Sequence, residues 1–299
     1  MGDIITELKN TFKRGNIFIQ LIFINVGIFL VTTLLSILFQ LFNRSADTLL
    51  RLFELPASSV KFITQPWSLF SYMFMHADLL HILFNMLWLY WFGPLFLHFF
   101  SGKHLRGLYI FGGICGGVLY MLSYNIFPYF RPMVDYSMMV GASASILAIV
   151  LATAYREPNY QVRLLFLGAV RLKYFALFVV VTDLLFLTSN NAGGHIAHIG
   201  GALAGVWFAA SLNKGTDVTS WINKLLDAIA SLFNGTIRKK KHKPTMKVHY
   251  NRNPKDYDYN ANKKAQSDEI DRILDKLKKS GYDSLTVEEK KSLFDASKR

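Results

Sequence analysis

The sequence predicts an all-α polytopic membrane protein: a bundle of six transmembrane helices followed by a small helical tail. Three observations carry that expectation. Apolar residues make up 52% of the 299 residues, and they fall in long blocks, as membrane spans require. Charge is sparse in residues 1–213, with 13 Lys/Arg and 8 Asp/Glu, and dense in residues 214–299, with 20 and 12. The lone cysteine, Cys115, lies inside an apolar block, so no internal disulfide framework exists to hold a soluble loop-rich fold.

Apolar segments run over residues 17–42, 79–100, 107–127, 138–155, 174–189 and 195–212. Crossing about 30 Å of hydrocarbon takes roughly 20 helical residues. The first three segments meet that length. The last three are nearer the lower limit, which predicts short or irregular helices buried by their neighbours. The opening MGDIITELKNTFKRGN has no secretory core or small-residue cleavage site. Its first six residues fit the short Met-Gly-x-x-x-Ser/Thr pattern of N-myristoylation.

Positive charge sets the expected orientation. Lys9, Lys13 and Arg14 precede span one, Lys103 and Arg106 join spans two and three, and Arg156, Arg163, Arg171 and Lys173 join spans four and five. The other side carries Arg44, Arg51 and Lys61 over a long loop, Arg131, and no charge in Asn190–Gly194. Both termini are therefore expected in the cytoplasm. Within the 1–2 loop, TLLRLFEL (48–55) and PWSLFSYMFMH (66–76) alternate in helical fashion. They suit either the outer interface, with Trp67 as an anchor, or packing over the helix ends.

The organisation read from the chain is a core over 1–213, an amphipathic and basic segment over 214–243, a polar linker over 244–266 and a helical hairpin over 267–299. SWINKLLDAIASLF (220–233) puts Trp221, Ile222, Leu225, Leu226, Ile229, Leu232 and Phe233 on one stripe, and RKKKHK (238–243) follows. A helix on the cytoplasmic leaflet and a helix packed on the protein itself both fit. The basic balance, formally +13, is read as attraction to membrane lipid and not to nucleic acid. In the hairpin, Ile270, Ile273, Leu274 and Leu277 are helically spaced, Gly281 is a stop, and Thr286 with Glu289 makes a capping box.

Polar groups inside spans are costly and each needs a reason. Span two carries His81 and Asn85 after His76, span four Ser143, span five Asp183, and span six His195 and His198. With both termini inside, spans two, four and six all run from outside to inside. At ~1.5 Å per residue, His81, Asn85, Ser143 and His198 then all lie within roughly 10 Å of the outer surface. His81 and Asn85 are four apart and share a face. His198, Gly201 and Gly205 share a face of span six, and Gly201-x-x-x-Gly205 lets another backbone approach. Span four offers a small-residue partner in Gly141, Ala142, Ala144, Ala148 and Ala152.

The chemistry such a set supports is Ser–His nucleophilic catalysis. Ser143 needs an imidazole to take its proton, and His198 can accept and return it. His81, Asn85 and the Ser143 backbone N–H can donate to a tetrahedral oxyanion. That N–H is free only if the helix begins near Ser143. The residues before it, MVDYSMMVGA, would then descend as non-helical chain into a protein-lined cavity.

At His81-Ile-Leu-Phe-Asn85, Gly141-Ala-Ser143 and Ala197-His198-Ile-Gly-Gly201 with Gly205, the sequence resembles the rhomboid intramembrane serine proteases over roughly residues 60–212. The likeness is to the bacterial six-span type with a cytoplasmic C-terminal extension. It implies a Ser143–His198 dyad without an acidic third member, an oxyanion site from His81, Asn85 and the Ser143 backbone, and no cofactor or metal. It also implies transmembrane protein substrates cut near the outer face of the bacterial cytoplasmic membrane, entering past span five. Three positions depart from the family pattern: Ala144 for the usual Gly, Leu147 for an aromatic under the imidazole, and Trp67-Ser68 for Trp-Arg.

Two other readings stay open on the sequence. His76, His81, His195 and His198 could line a metal transporter, although a His-Glu-x-x-His motif is absent. A catalytically silent relative that binds transmembrane helices is the other. For the remaining polar groups, His195 is expected in the loop or cavity, or else supporting the site from behind, and Asp183 in a structural bond to a neighbouring helix in preference to orienting a polar group. His76 is expected to hydrogen-bond within the 1–2 loop or to line the water entrance, and His98 and His104 to be solvated.

Overall fold

The computed structural model describes residues 6–7, 10–12, 15–164, 168–233 and 254–297, with the side chains of 164, 254–266 and 297 left aside. The basic run at 238–243 and the myristoylation pattern's first residues lie outside the described residues. Two compact units divide at residue 237.

The first unit is a helical bundle. Four helices are long and apolar enough to cross a membrane: α1 (Ile17–Leu41), α2 (Leu79–Phe99), α3 (Gly102–Ile126) and, later in the chain, Ala192–Asn213. Between them lie two 14-residue helices, α4 (Ser143–Arg156) and α5 (Leu172–Leu185), before α6 (Ala192–Asn213). At ~1.5 Å per residue α4 spans only about 21 Å. Its shortness is tolerated because every residue from Ala144 to Ala154 is buried by protein, so neither end of its backbone must face lipid. α1 and α5 lie at the margin. Only Phe18, Leu21 and Asn25 of α1 are buried, and only Leu172, Ala176 and Asp183 of α5.

Local chemistry sets the ends of these helices. Asp78 caps α2 by accepting from the His81 N–H at 2.8 Å, and Ser101 caps α3 through the His104 N–H at 3.2 Å. The long 1–2 connection holds short turns of helix at Asp47–Leu50, Arg51–Phe53, Ser59–Thr64, Ser68–Ser71 and Tyr72–Phe74. Half-exposed Trp67 donates to the Leu52 carbonyl at 2.8 Å. Tyr72 Oη donates to the Gly113 carbonyl at 2.6 Å, and Tyr109 Oη to the Met73 carbonyl at 3.1 Å. These bonds tie the connection to α3.

Several expectations need correction. The fold is not purely helical. β1 (Leu55–Pro56) pairs antiparallel with β2 (Met138–Met139), and β3 (Gln161–Leu164) with β4 (Gly168–Arg171), Val162 opposite Val170. The second pair is a hairpin in the 4–5 connection, too short to stand out beside the apolar blocks. Of span four, only the helix start near Ser143 that the oxyanion reading required is found: Met138–Met139 is extended strand and the helix opens at Ser143. The core also runs past 213. α7 (Ser220–Phe233) packs on α3 through Ile222 and Asn223, with Asn223 Nδ2 donating to the Lys103 carbonyl at 3.0 Å and Arg106 paired to Asp227 at 2.8 Å. Its remaining stripe, Trp221, Leu225, Ile229 and Leu232, is exposed, so only one edge of the helix meets protein.

In the second unit, α8 runs over Pro254–Ser280 and α9 over Val287–Ser297. Residues 254–266 are therefore helix and not linker. They carry no apolar stripe, so periodicity could not reveal them, while Pro254 at the start and the Lys, Ala and Gln that follow favour helix. Gly281 ends α8 at φ 77°, its N–H bonded to the Leu277 carbonyl at 3.0 Å. The capping box closes in both directions, Thr286 N–H to Glu289 Oε2 at 2.8 Å and Glu289 N–H to Thr286 Oγ1 at 3.2 Å.

Candidate active site

The site is assembled where the short helix α4 starts. Gly141 adopts φ 128°, a conformation L side chains rarely take, and a Cβ there would lie 2.7 Å from His81 Nε2. The chain thus turns hard against the His81 imidazole and delivers Ser143 two residues later. No side chain caps α4, so its first backbone N–H groups remain available where the helix opens.

That opening is the wall of a cavity of about 940 Å³ lined by Ser143, His198, His81, Asn85, Leu147, Asp183 and the Asn190–Gly194 loop, among others. Ser143, His81 and His198 are half-buried and Asn85 is buried. Four residues drawn from α2, α4 and α6 therefore face one space. Among the described residues no hydrogen bond joins Ser143 Oγ to His198. Catalytic pairs are commonly loose before substrate arrives.

The donors are set by their own bonds. Ala77 N–H donates to His81 Nδ1 at 3.4 Å, so a neutral His81 holds its proton on Nε2, the atom beside Gly141. Asn85 Nδ2 donates one hydrogen to the His81 carbonyl at 2.9 Å, leaving its second hydrogen for another acceptor.

Close packing fixes α6 against α4. A Cβ on Gly201 would sit 2.1 Å from the Ala144 carbonyl oxygen, and one on Gly205 would sit 2.2 Å from that of Ala148. The methyl of Ala144 is accommodated because α3 presents Gly116 there, where a Cβ would come within 2.7 Å of it. Leu147 is 4% exposed and lines the cavity. Ser145 is fully buried, its Oγ 3.9 Å from Met73 Sδ, facing away from the cavity set.

The least anticipated contact is at Asp183. Its Oδ1 lies 2.8 Å from His195 Nδ1 and 2.9 Å from His198 Nδ1. The expected bond from α5 to a neighbouring helix exists, and its partner is the candidate base. A carboxylate in an apolar segment was the signal. Its target was hidden because the two histidines follow it across a turn that periodicity does not describe.

Of the two expectations for His76, lining the water entrance does not hold: it is 8% exposed and does not line the cavity. Its ring packs edge-on to His81 at 5.1 Å. His98 is exposed as expected, whereas His104 is half-buried, 3.8 Å from Asp217. Burial, reinforced by His81, pushes His76 down to about 4 from 6.5. The unfolded chain then binds a proton that the folded chain refuses. This contribution to stability is complete above about pH 6.5 and is lost as pH falls towards about 4, on the order of 3 kcal/mol. Thermal melting in detergent is expected to drop over that window, and to drop less in His76→Leu. An equal acid sensitivity in that variant refutes the assignment.

Against known families, the rhomboid domain model matches residues 64–214, just over half of the chain. A family of unknown function, DUF6576, matches residues 254–299. A curated relative, the mitochondrial RHOMBOID-like protein 12 of Arabidopsis thaliana, is 28% identical over 151 residues, 48% of this chain and 45% of that protein. The chain thus aligns with under half the length of that relative. The matched domain takes in the cavity, its four converging polar residues and the glycine seam that seats α6 on α4, and on this match the chain belongs to the rhomboid family.

Proposed function

We propose that the protein is an intramembrane serine endopeptidase that cuts transmembrane protein substrates with Ser143 and His198. The observation that carries this reading is the shared cavity: a serine on an uncapped helix start, an imidazole on a helix seated against it, and two side-chain donors opposite. In this reading α4 and α5 complete a six-span bundle with both termini in the cytoplasm of a bacterial cell. The positive-charge bias supports that orientation. The exposed edge of α7 then rests on the inner leaflet.

Ser143 Oγ attacks the scissile carbonyl carbon as its proton passes to His198 Nε2. The carbonyl oxygen becomes an oxyanion held by His81 Nε2–H, the free Asn85 N–H and the α4 backbone. The C–N bond breaks as His198 returns the proton to the leaving amine. Water, deprotonated by the same imidazole, then cleaves the acyl-Ser143 ester and regenerates the hydroxyl. No step calls for a cofactor. Substrate reaches the cavity past α5, whose hold on α2 is an aromatic stack of Phe175 on Phe92 and Trp88, each at 5.5 Å between ring centres.

A fluorophosphonate probe on the detergent-purified chain is expected to label Ser143 alone, and peptide mapping that finds no label there refutes the reading. Asn85→Ala is expected to lower kcat by about 10²- to 10³-fold with KM little changed. Its melting temperature should stay near wild type, because the bond lost to the His81 carbonyl is worth about 1 kcal/mol. An unchanged kcat removes Asn85 from the oxyanion site.

A further inference from the structure

Asp183 is a buried carboxylate, 4% exposed, on a helix with almost no other buried residue. Burying an ion is costly unless it is paired. Here one oxygen, Oδ1, receives both imidazoles, and Oδ2 has no partner among the described residues. An ionised carboxylate only accepts, so each Nδ1 carries a hydrogen and donates it. His195 and His198 are one turn apart on α6, with their rings edge-to-face at 5.9 Å. His195 is further held by stacking on Phe186 at 5.7 Å.

The consequence for His198 is chemical. A neutral imidazole can carry its proton on either nitrogen, and only the form with Nδ1–H has a lone pair on Nε2 for the Ser143 proton. Asp183 selects that form. Its negative charge also lies beside the imidazolium that forms when Ser143 attacks, and stabilises it. The sequence resemblance implied two residues, a serine and a histidine. We propose that in this chain Asp183 is a positioning residue for His198, with His195 holding the same carboxylate oxygen in place, so that α4, α5 and α6 together carry a Ser–His–Asp relay. The proposal rests on the Ser143–His198 reading above.

A competing account is a divalent cation, since single ligand atoms of Asp183, His195 and His198 lie within 4.8 Å of one another. The distances favour hydrogen bonds. A tetrahedral zinc with ligands at about 2.1 Å keeps those atoms roughly 3.4 Å apart, whereas the Nδ1 atoms stand 2.8 and 2.9 Å from Oδ1.

The test uses the full chain in detergent, comparing wild type, Asp183→Asn and Asp183→Glu. Fluorophosphonate labelling rate, kcat and KM on a transmembrane substrate, and melting temperature are read for each. Asp183→Asn is expected to lower labelling rate and kcat by at least about 10-fold and up to about 10⁴-fold with KM within about twofold, and Asp183→Glu to fall between it and wild type. Should the Asn variant not fold, a reduced kcat at unchanged KM in Asp183→Glu supports the assignment, and an unchanged kcat overturns it. Equal kcat in Asp183→Asn and wild type overturns it, as do parallel losses in melting temperature, KM and kcat that Glu does not relieve. Chelation that stops wild-type labelling, with zinc restoring it, overturns it in favour of the cation. A wild-type chain that neither labels nor cleaves overturns the protease reading itself; an active wild type with an unaffected Asn variant overturns the relay alone.

Discussion

Ser143→Ala and His198→Ala are each expected to abolish cleavage of a transmembrane substrate, a fall of at least about 10³-fold. The two variants should differ in another respect. Ser143 Oγ has no hydrogen-bond partner among the described residues, so its removal costs the fold little, and Ser143→Ala should melt as wild type. His198 supplies one of the two donors to the buried Asp183 carboxylate. His198→Ala leaves that carboxylate half-satisfied, at about 1–3 kcal/mol, and should melt lower. Side reactions of a contaminating protease would survive both substitutions. Substantial cleavage by purified Ser143→Ala would end the case for this serine as nucleophile. Loss of cleavage with the serine variant alone would leave the nucleophile and require another base.

Much of the site was legible in the sequence because membrane burial makes polar residues conspicuous. His81, Asn85, Ser143 and His198 stand out against apolar surroundings, and helical rise converts their positions to depths. The seam was legible for the same reason: Gly201 and Gly205 share a face with His198, and the structure sets both against α4 carbonyls. What the pattern could not convey was pairing between elements. Asp183 meets His198 because α5 and α6 lie side by side, and neither segment's periodicity specifies that. His76 was read as hydrogen-bonding within the 1–2 loop or lining the water entrance, yet tertiary packing buries it away from the cavity. In the tail, Thr286 and Glu289 were legible because a capping box is local. The first half of α8 was not, because its helicity rests on propensity without an apolar face.

Gly201→Val is expected to be the most damaging change away from the polar groups. A single Cβ at Gly201 already falls 2.1 Å from the Ala144 carbonyl oxygen and 3.0 Å from its Cα, all of it backbone. No side chain can rotate away, so α6 must retreat from α4. Valine adds two methyls at a stiff χ1. Overpacking of a well-filled core costs about 1–3 kcal/mol and more where backbone must move, so the variant should melt well below wild type. His198 sits one turn before Gly201 on the same face, and a displacement of about 1 Å at a reacting group can cost 10²-fold in rate. The surviving folded fraction should therefore cleave and label about 100-fold more slowly. Gly27→Ala is the control. It too is a glycine in a membrane helix, but nothing lies within 4 Å of its added Cβ, and alanine favours helix over glycine by about 1 kcal/mol. Its melting temperature should hold or rise and its activity stay unchanged. Wild-type melting and labelling in Gly201→Val would show that α6 is not seated by this seam, and the placement of His198 against α4 would need another cause.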